Sequence, residues 1–256
     1  MSSLHFIALQ TLLHRELVRI FRIWKQTFIP PIITQTLYFV VFGAFIGSQV
    51  APVAGISYMA FIVPGIVMMS MITGAFINVS FSFYFTKFGR SVEEMLVSPM
   101  PDWLMLVGYV TAGVVRALLT GAVILVVSAL FVRPTIEHVW VMLLFATLTA
   151  AVFGLGGFLN GMLAKDFDGA GSFATFVLTP LTYLGGVFYS LDMLPPVFKA
   201  ISYANPIVYM VDGFRYGFYG IHDTNLWLGF GFLLIVGGIL TTINLVLLKK
   251  GTGLRS

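Results

Sequence analysis

The chain has 256 residues, of which 59% are hydrophobic and 9% charged, with a mean hydropathy of +0.98. Soluble domains are about half apolar and about a quarter charged, so this composition excludes an ordinary cytosolic enzyme, a disordered chain and a nucleic-acid module. The net charge of +4 is small, and the absence of cysteine excludes disulfides, a thiol nucleophile and thiolate metal ligands. The expected fold is an all-α integral membrane domain whose helices cross roughly 30 Å of hydrocarbon.

At the N-terminus, Phe6, Leu9, Leu13, Leu17, Ile20 and Trp24 recur at helical spacing, with Arg15, Arg19 and Arg22 on the opposite face. Residues 1–27 are read as an amphipathic helix lying in the cytoplasmic interface, its arginines near anionic headgroups. Packing on a second subunit satisfies the same pattern. The segment lacks the compact apolar stretch of a signal peptide.

Residues 28–256 are read as one six-span domain, with stretches at 28–48, 57–85, 103–132, 139–163, 170–190 and 226–248. Each supplies the about 20 mostly apolar residues that a spanning helix needs. The second and third are longer, which predicts tilt or interfacial extension. There is no strand-like alternation to support a membrane barrel. Lys and Arg set the orientation. Arg15, Arg19, Arg22, Lys25, Lys87, Arg90, Lys165, Lys249, Lys250 and Arg255 fall on one side, while Arg133, Lys199 and Arg215 fall on the other. Both termini are therefore expected in the cytoplasm.

The loop 86–102 lies between the second and third spans. Ser91 stands three residues before Glu94, a capping-box spacing, and Pro99 and Pro101 stop the helix that follows. One or two turns result, carrying Glu93 and Glu94 beside Met95 and Leu96. A short helix with an apolar face exposed to water wants a partner; a connector packed on its own bundle is the alternative.

Arg116 is the one charge inside a span. A buried guanidinium costs about 2.5–3.5 kcal/mol on insertion scales. If only 113–132 crosses, Arg116 sits one turn inside the cytoplasmic edge and snorkels, the favoured reading. The alternative is an inward-facing group on the pathway that binds an anionic substrate or braces the bundle. Asn78, Asn160 and Asn244 are expected to bond between helices, and Gly157 and Gly161, like Gly43 and Gly47, are expected to let helices pack closely.

Residues 191–225 are aromatic but broken by Pro195-Pro196 and Asn205-Pro206. Neither piece is long enough to span. They are read as two re-entrant helices, about 195–203 and 206–219, dipping into the outer leaflet and covered there by protein.

These two interruptions carry a resemblance. Gly89-Arg90-Ser91-Val92-Glu93-Glu94-Met95-Leu96-Val97-Ser98-Pro99 resembles the coupling-helix loop of the membrane subunits of ABC type-2 exporters. A second match runs from Pro180-Leu181 through Gly185-Gly186-Val187-Phe188-Tyr189, Leu194-Pro195 and Asn205-Pro206-Ile207 to Tyr209 and Arg215. Ser190 departs from the proline that many members carry there. The resemblance implies a permease of a bacterial inner membrane, paired as a dimer with a second copy and docked on two ABC ATPase subunits. Gly89, Arg90, Glu93, Glu94, Leu96 and Pro99 would form the ATPase-coupling site, with the arginine-bearing first helix alongside. Pro195, Asn205, Pro206, Tyr209 and Arg215 would form the outer gate. ATP and magnesium would belong to the ATPase, and no cofactor to this chain, which has no phosphate-binding Gly-x-x-x-x-Gly-Lys-Ser/Thr loop. The implied cargo is hydrophobic, amphipathic or lipid-linked.

The competing class is an ion-coupled secondary transporter, which wants intramembrane carboxylates or repeated broken helices; the spans hold no Asp or Glu. An intramembrane enzyme wants convergent catalytic groups, and none stands out. The histidines are scattered, and Asp166 and Asp168 read as a solvated turn.

Overall fold

The computed structural model describes residues 2–98 and 100–253. It is all-α. Helix α1 spans Ser2–Arg22 and α2 Trp24–Tyr38, the latter continuing through a π-helical stretch to Ile46. Then follow α3 (Tyr58–Phe88), α4 (Ser91–Val97), α5 (Asp102–Ser128) and α6 (Val139–Leu163). Helices α7 (Phe167–Phe173) and α8 (Thr179–Tyr183) are joined by a π-helical stretch. Last come α9 (Pro196–Tyr203), α10 (Pro206–Tyr219) and α11 (Leu226–Lys250).

Among the described residues, five helices are long and apolar enough to cross a membrane: Trp24–Ile46, Tyr58–Phe88, Asp102–Ser128, Val139–Leu163 and Leu226–Lys250. The expected stretch at 170–190 is different. It is helical only over 167–183, roughly 26 Å at 1.5 Å per residue, and then turns at Gly185-Gly186, where Gly186 takes a left-handed conformation (φ +72°). The N-terminal boundary also moves. Ile23 leaves the helical region (φ −105°, ψ 31°), so α1 ends at Arg22 and residues 24–27 already belong to α2.

Helix α3 is the axis of the bundle. It is apolar all round and buried along most of its length, with α5, α6 and α10 packed about it. The main core gathers Phe61, Ile66, Met68 and Phe76 from α3 with Phe145 of α6 and Phe214 of α10. By contrast, α2 and α11 keep much of their apolar surface exposed, including the i, i+4 stripe Ile29, Ile33, Leu37, Val41 and Phe45.

Glycines bring α6 onto α3. A Cβ at Gly157 would lie 2.4 Å from the Phe76 carbonyl oxygen, and one at Gly161 would lie 2.4 Å from that of Ser80. The backbones thus touch where any larger residue would collide. Beside them the Asn160 amide donates to Ser80 Oγ (2.9 Å) and to the Ala170 carbonyl (3.0 Å). Asn244 of α11 donates to the Leu155 carbonyl at 3.0 Å. The Gly43/Gly47 pair works differently: Gly43 faces the Met59 side chain, and Gly47 is crowded by its own helix at the Gly43 carbonyl.

Gly157→Leu is expected to destabilise the protein by at least about 1–3 kcal/mol through overpacking against backbone, read as a lower thermal midpoint in detergent. Gly231→Ala, where a Cβ meets nothing within 4 Å, should leave that midpoint unchanged or raise it.

Candidate functional site

One end of the bundle holds α1, the C-terminus of α3, α4 and the N-terminus of α5. The face that α1 turns to the bundle is centred on Leu12, Glu16 and Ile20, while Phe6 and Trp24 of the expected apolar stripe are exposed. Leu12 fits against Gly108 of α5, where a Cβ would lie 2.3 Å from Leu12 Cδ2. Glu16 is only 2% exposed. It accepts from Ser82 Oγ (2.6 Å), Arg19 Nη2 (2.8 Å) and Arg15 Nη2 (3.3 Å).

The arginines therefore do not all face away, as the helical pattern suggested. Arg15 Nη2 donates to the Tyr109 hydroxyl (2.7 Å), which also bonds Thr86 Oγ1 (2.7 Å). Arg19 Nη2 donates to Asn78 Oδ1 at 3.0 Å, and Arg116 Nη1 reaches the same oxygen at 3.0 Å. One amide oxygen thus bridges a guanidinium of α1 and the Arg116 guanidinium of α5. Arg22 is exposed. The offset arises because α1 packs through a polar seam, so its buried stripe is set by Glu16 as much as by its apolar residues.

Helix α4 hangs below this seam. The Gly89 N–H closes α3 by donating to the Phe85 carbonyl at 2.9 Å. Arg90 follows in a left-handed conformation (φ +57°), which costs a non-glycine residue about 1 kcal/mol. That turn makes Arg90 the N-cap and places Ser91 inside the helix, with no side-chain cap bond. The expected capping box is thereby replaced. Val92 is buried with Leu12 and Tyr109 and pins the helix, leaving Glu93, Glu94, Leu96 and Val97 exposed, Val97 to 88%. Ser98 is extended and ends the helix, as a residue before proline must; Pro99 itself lies outside the described residues. A shallow groove runs between α1 and α4, lined by Thr11, Leu12 and Arg15 on one side and Glu94, Met95 and Ser98 on the other.

Above the seam lies a cavity of about 360 Å³ between α2, α3, α5 and α8. Arg116 lines it, with Gln35, Thr73, Thr120 and Tyr183 among its polar neighbours. The Tyr38 and Tyr183 hydroxyls are bonded to each other at its wall.

The opposite end is built from 184–225. The Asn205 side chain caps α10 at the Ile207 N–H (3.0 Å) and donates to the Leu181 carbonyl (2.8 Å). Arg215 donates to the Gly186 carbonyl (2.6 Å) and stacks on Phe61 at 3.9 Å. Asp212 accepts from the Asp223 and Thr224 N–H groups at 2.8 and 2.7 Å. Asp223 accepts in turn from Ser190 Oγ at 2.8 Å. The Pro195-Pro196 pair starts α9, and the Tyr209 hydroxyl donates to the Tyr203 carbonyl at 3.0 Å. Lys199 is bonded to Asp192 at 2.6 Å, a contact that holds its ammonium above its ordinary pKa.

Sequence reasoning missed Glu16, Ser82, Tyr109, Asp212 and Asp223. Glu16 carried a usable signal: it is the only acidic residue of α1, three positions before Arg19 and beside Arg15. Tyr109 and Ser82 carried none, because their roles arise only from packing.

A family model described as ABC-2 type transporter matches residues 7–219. The chain is 50% identical to a protein named inner membrane transport permease YadH from Escherichia coli K12, over the whole of both chains. It is 28% identical to nodulation protein J of Rhizobium leguminosarum bv. viciae, over 89% of this chain and 90% of the relative. To nodulation protein J of the biovar trifolii it is 31% identical, over 70% and 69%.

Replacing Glu16 with Ala strips Arg15 and Arg19 of their shared acceptor and should cost on the order of 2 kcal/mol or more. The thermal midpoint should fall and α1 should become sensitive to limited proteolysis. Ser82→Ala removes one neutral donor and should cost about 1 kcal/mol.

Proposed function

The chain belongs to the ABC-2 type transporter family, and from that premise we propose that it is the non-catalytic permease subunit of an ATP-driven exporter. It is a multi-pass inner-membrane protein. Its partner is an ABC ATPase dimer that carries the ATP and magnesium, and the working assembly holds a second copy of the permease.

The observation that carries this reading is α4. A seven-residue helix, pinned by Val92 and preceded by a left-handed residue, presents two carboxylates and two apolar side chains to solvent beyond the end of the bundle. Such a surface suits the cleft of a soluble partner, the apolar pair supplying buried area and Glu93 and Glu94 supplying register. Because Val92 and Leu12 share one core cluster, a push on α4 bears on α1 and on α5 together.

In this reading the end with α1 and α4 is cytoplasmic, consistent with the Lys and Arg distribution. The helix 167–183 serves as a sixth, short crossing. Helices α9 and α10 re-enter from the outer side, their irregular backbone bonded within the protein by Arg215, Asn205 and Asp212. Substrate passes between the two copies, along the exposed faces of α2. The cargo is hydrophobic or amphipathic, in keeping with a low-charge, aromatic path.

Replacing Glu93 and Glu94 together with Ala should reduce co-purified ATPase by about tenfold, the equivalent of about 1.4 kcal/mol, in a mild-detergent pull-down from native membranes. Undiminished ATPase recovery from the double variant would place the docking surface elsewhere. The chain has no native cysteine, so single cysteines report topology cleanly. Glu94→Cys should react with an impermeant maleimide only from the cytoplasmic side, and Asp192→Cys only from the outside. Reactivity of both from one side would refute the re-entrant arrangement.

A further inference from the structure

The cavity above α1 contains one charged group, Arg116, and that group is short of partners. Its Nη1 shares Asn78 Oδ1 with Arg19, its Nε is buried without an acceptor, and no carboxylate lies within ion-pair distance among the described residues. The nearest carboxylate in the network, Glu16, already accepts from two arginines and Ser82. The seam and cavity together therefore hold Arg15, Arg19 and Arg116 against one Glu. A guanidinium at this depth gains most from a counter-anion.

The rest of the cavity has the opposite polarity. Gln35 Oε1 is buried and accepts nothing. Ser70, Thr73 and Thr120 each donate their hydroxyl hydrogen to a carbonyl of their own helix, which leaves oxygen lone pairs as their free valence. Buried polar atoms are normally satisfied. Here a guanidinium and an amide, each with a polar atom left unmet, line the same cavity. A ligand that answers both carries a negative charge and, next to it, hydrogen-bond donors. The helix that walls the cavity, α2, also carries the exposed apolar stripe, so the rest of such a molecule has apolar surface nearby to lie along.

We propose that this cavity is a subsite for the anionic, hydroxyl-bearing headgroup of an amphiphile, with Arg116 holding the anion and Gln35 accepting from a hydroxyl. Calling that amphiphile the cargo rests on the exporter reading; binding itself does not.

The test uses the full-length permease in neutral maltoside detergent, with thermal unfolding followed against added dihexanoyl-phosphatidylglycerol, dihexanoyl-phosphatidylcholine or glycerol 1-phosphate. The phosphatidylglycerol is expected to give a saturable rise in midpoint, and the zwitterionic lipid none. Arg116→Gln should weaken the apparent affinity by at least about tenfold. Arg116→Lys should retain part of it, Gln35→Leu should also weaken it, and the exposed Arg133→Gln should match the wild type. The midpoint without additive shows whether each variant is folded; should Arg116→Gln fail, Arg116→Lys and Gln35→Leu carry the test. An unchanged response in the Arg116 and Gln35 variants overturns the proposal. So does an equal, Arg116-dependent response to glycerol 1-phosphate, which would mark a site for a free anion. ATPase recovery from Arg116→Gln membranes is scored separately: retained ATPase with lost lipid binding leaves the exporter reading standing, and lost ATPase in the unmutated protein removes that reading without touching the subsite.

Discussion

The close approach of α6 to α3 is the constraint on which the remaining architecture depends. In hydrocarbon there is no hydrophobic force between helices, so association rests on packing and on hydrogen bonds. Gly157 and Gly161 lay α6 on the α3 carbonyls, and Asn160 ties the start of the 167–183 helix to the same place through Ser80 and Ala170. With α3 enclosed in this way, α5 and α10 occupy its other faces. The helices left outside, α2 and α11, keep much of their apolar surface exposed.

The polar seam between α1, α3 and α5 has a different logic. A carboxylate and three guanidiniums drawn between packed helices are costly unless their polar groups are satisfied. Glu16, Asn78 and Tyr109 serve as acceptors, and Glu16 and Asn78 are each shared by two guanidiniums. The same bonds fix α1 on the bundle at a set rotation and place α4 against it through Val92 and Leu12. The seam thus joins α1 to Arg116 through one residue, Asn78, and Arg116 also lines the cavity above.

At the far end the chain breaks its helices at Gly185-Gly186, Pro195-Pro196 and Asn205-Pro206, and side chains answer the backbone at the first and last of these and at the turn after α10. The Gly186 carbonyl is met by Arg215, the Leu181 carbonyl by Asn205, and the turn after α10 by Asp212. Buried irregular backbone is tolerated only when its polar groups are answered by protein. Arg215 belongs to this repair: its stacking on Phe61 and its bond to Gly186 make it a brace for the broken segment.

Hydropathy and helix-breaking residues determined the all-α class, the five long apolar helices to within a few residues, and the positions of α4, α9 and α10. These features depend on local composition: runs of apolar side chains, prolines and capping residues act over a turn or two, so they are legible one residue after another. Tertiary structure alone decided three things. The 170–190 stretch became a shorter helix because Gly185-Gly186 turns to meet Arg215 and Ile207. The helix at 91 starts without its serine cap because Arg90 takes a left-handed turn out of α3. Arg15 and Arg19 of α1 turn toward the bundle because Tyr109 and Asn78 are brought to them from 94 and 59 residues away, beside the local acceptor Glu16. Periodicity records which side chains share a face, whereas the partner each polar group finds is fixed only when helices distant in sequence pack together.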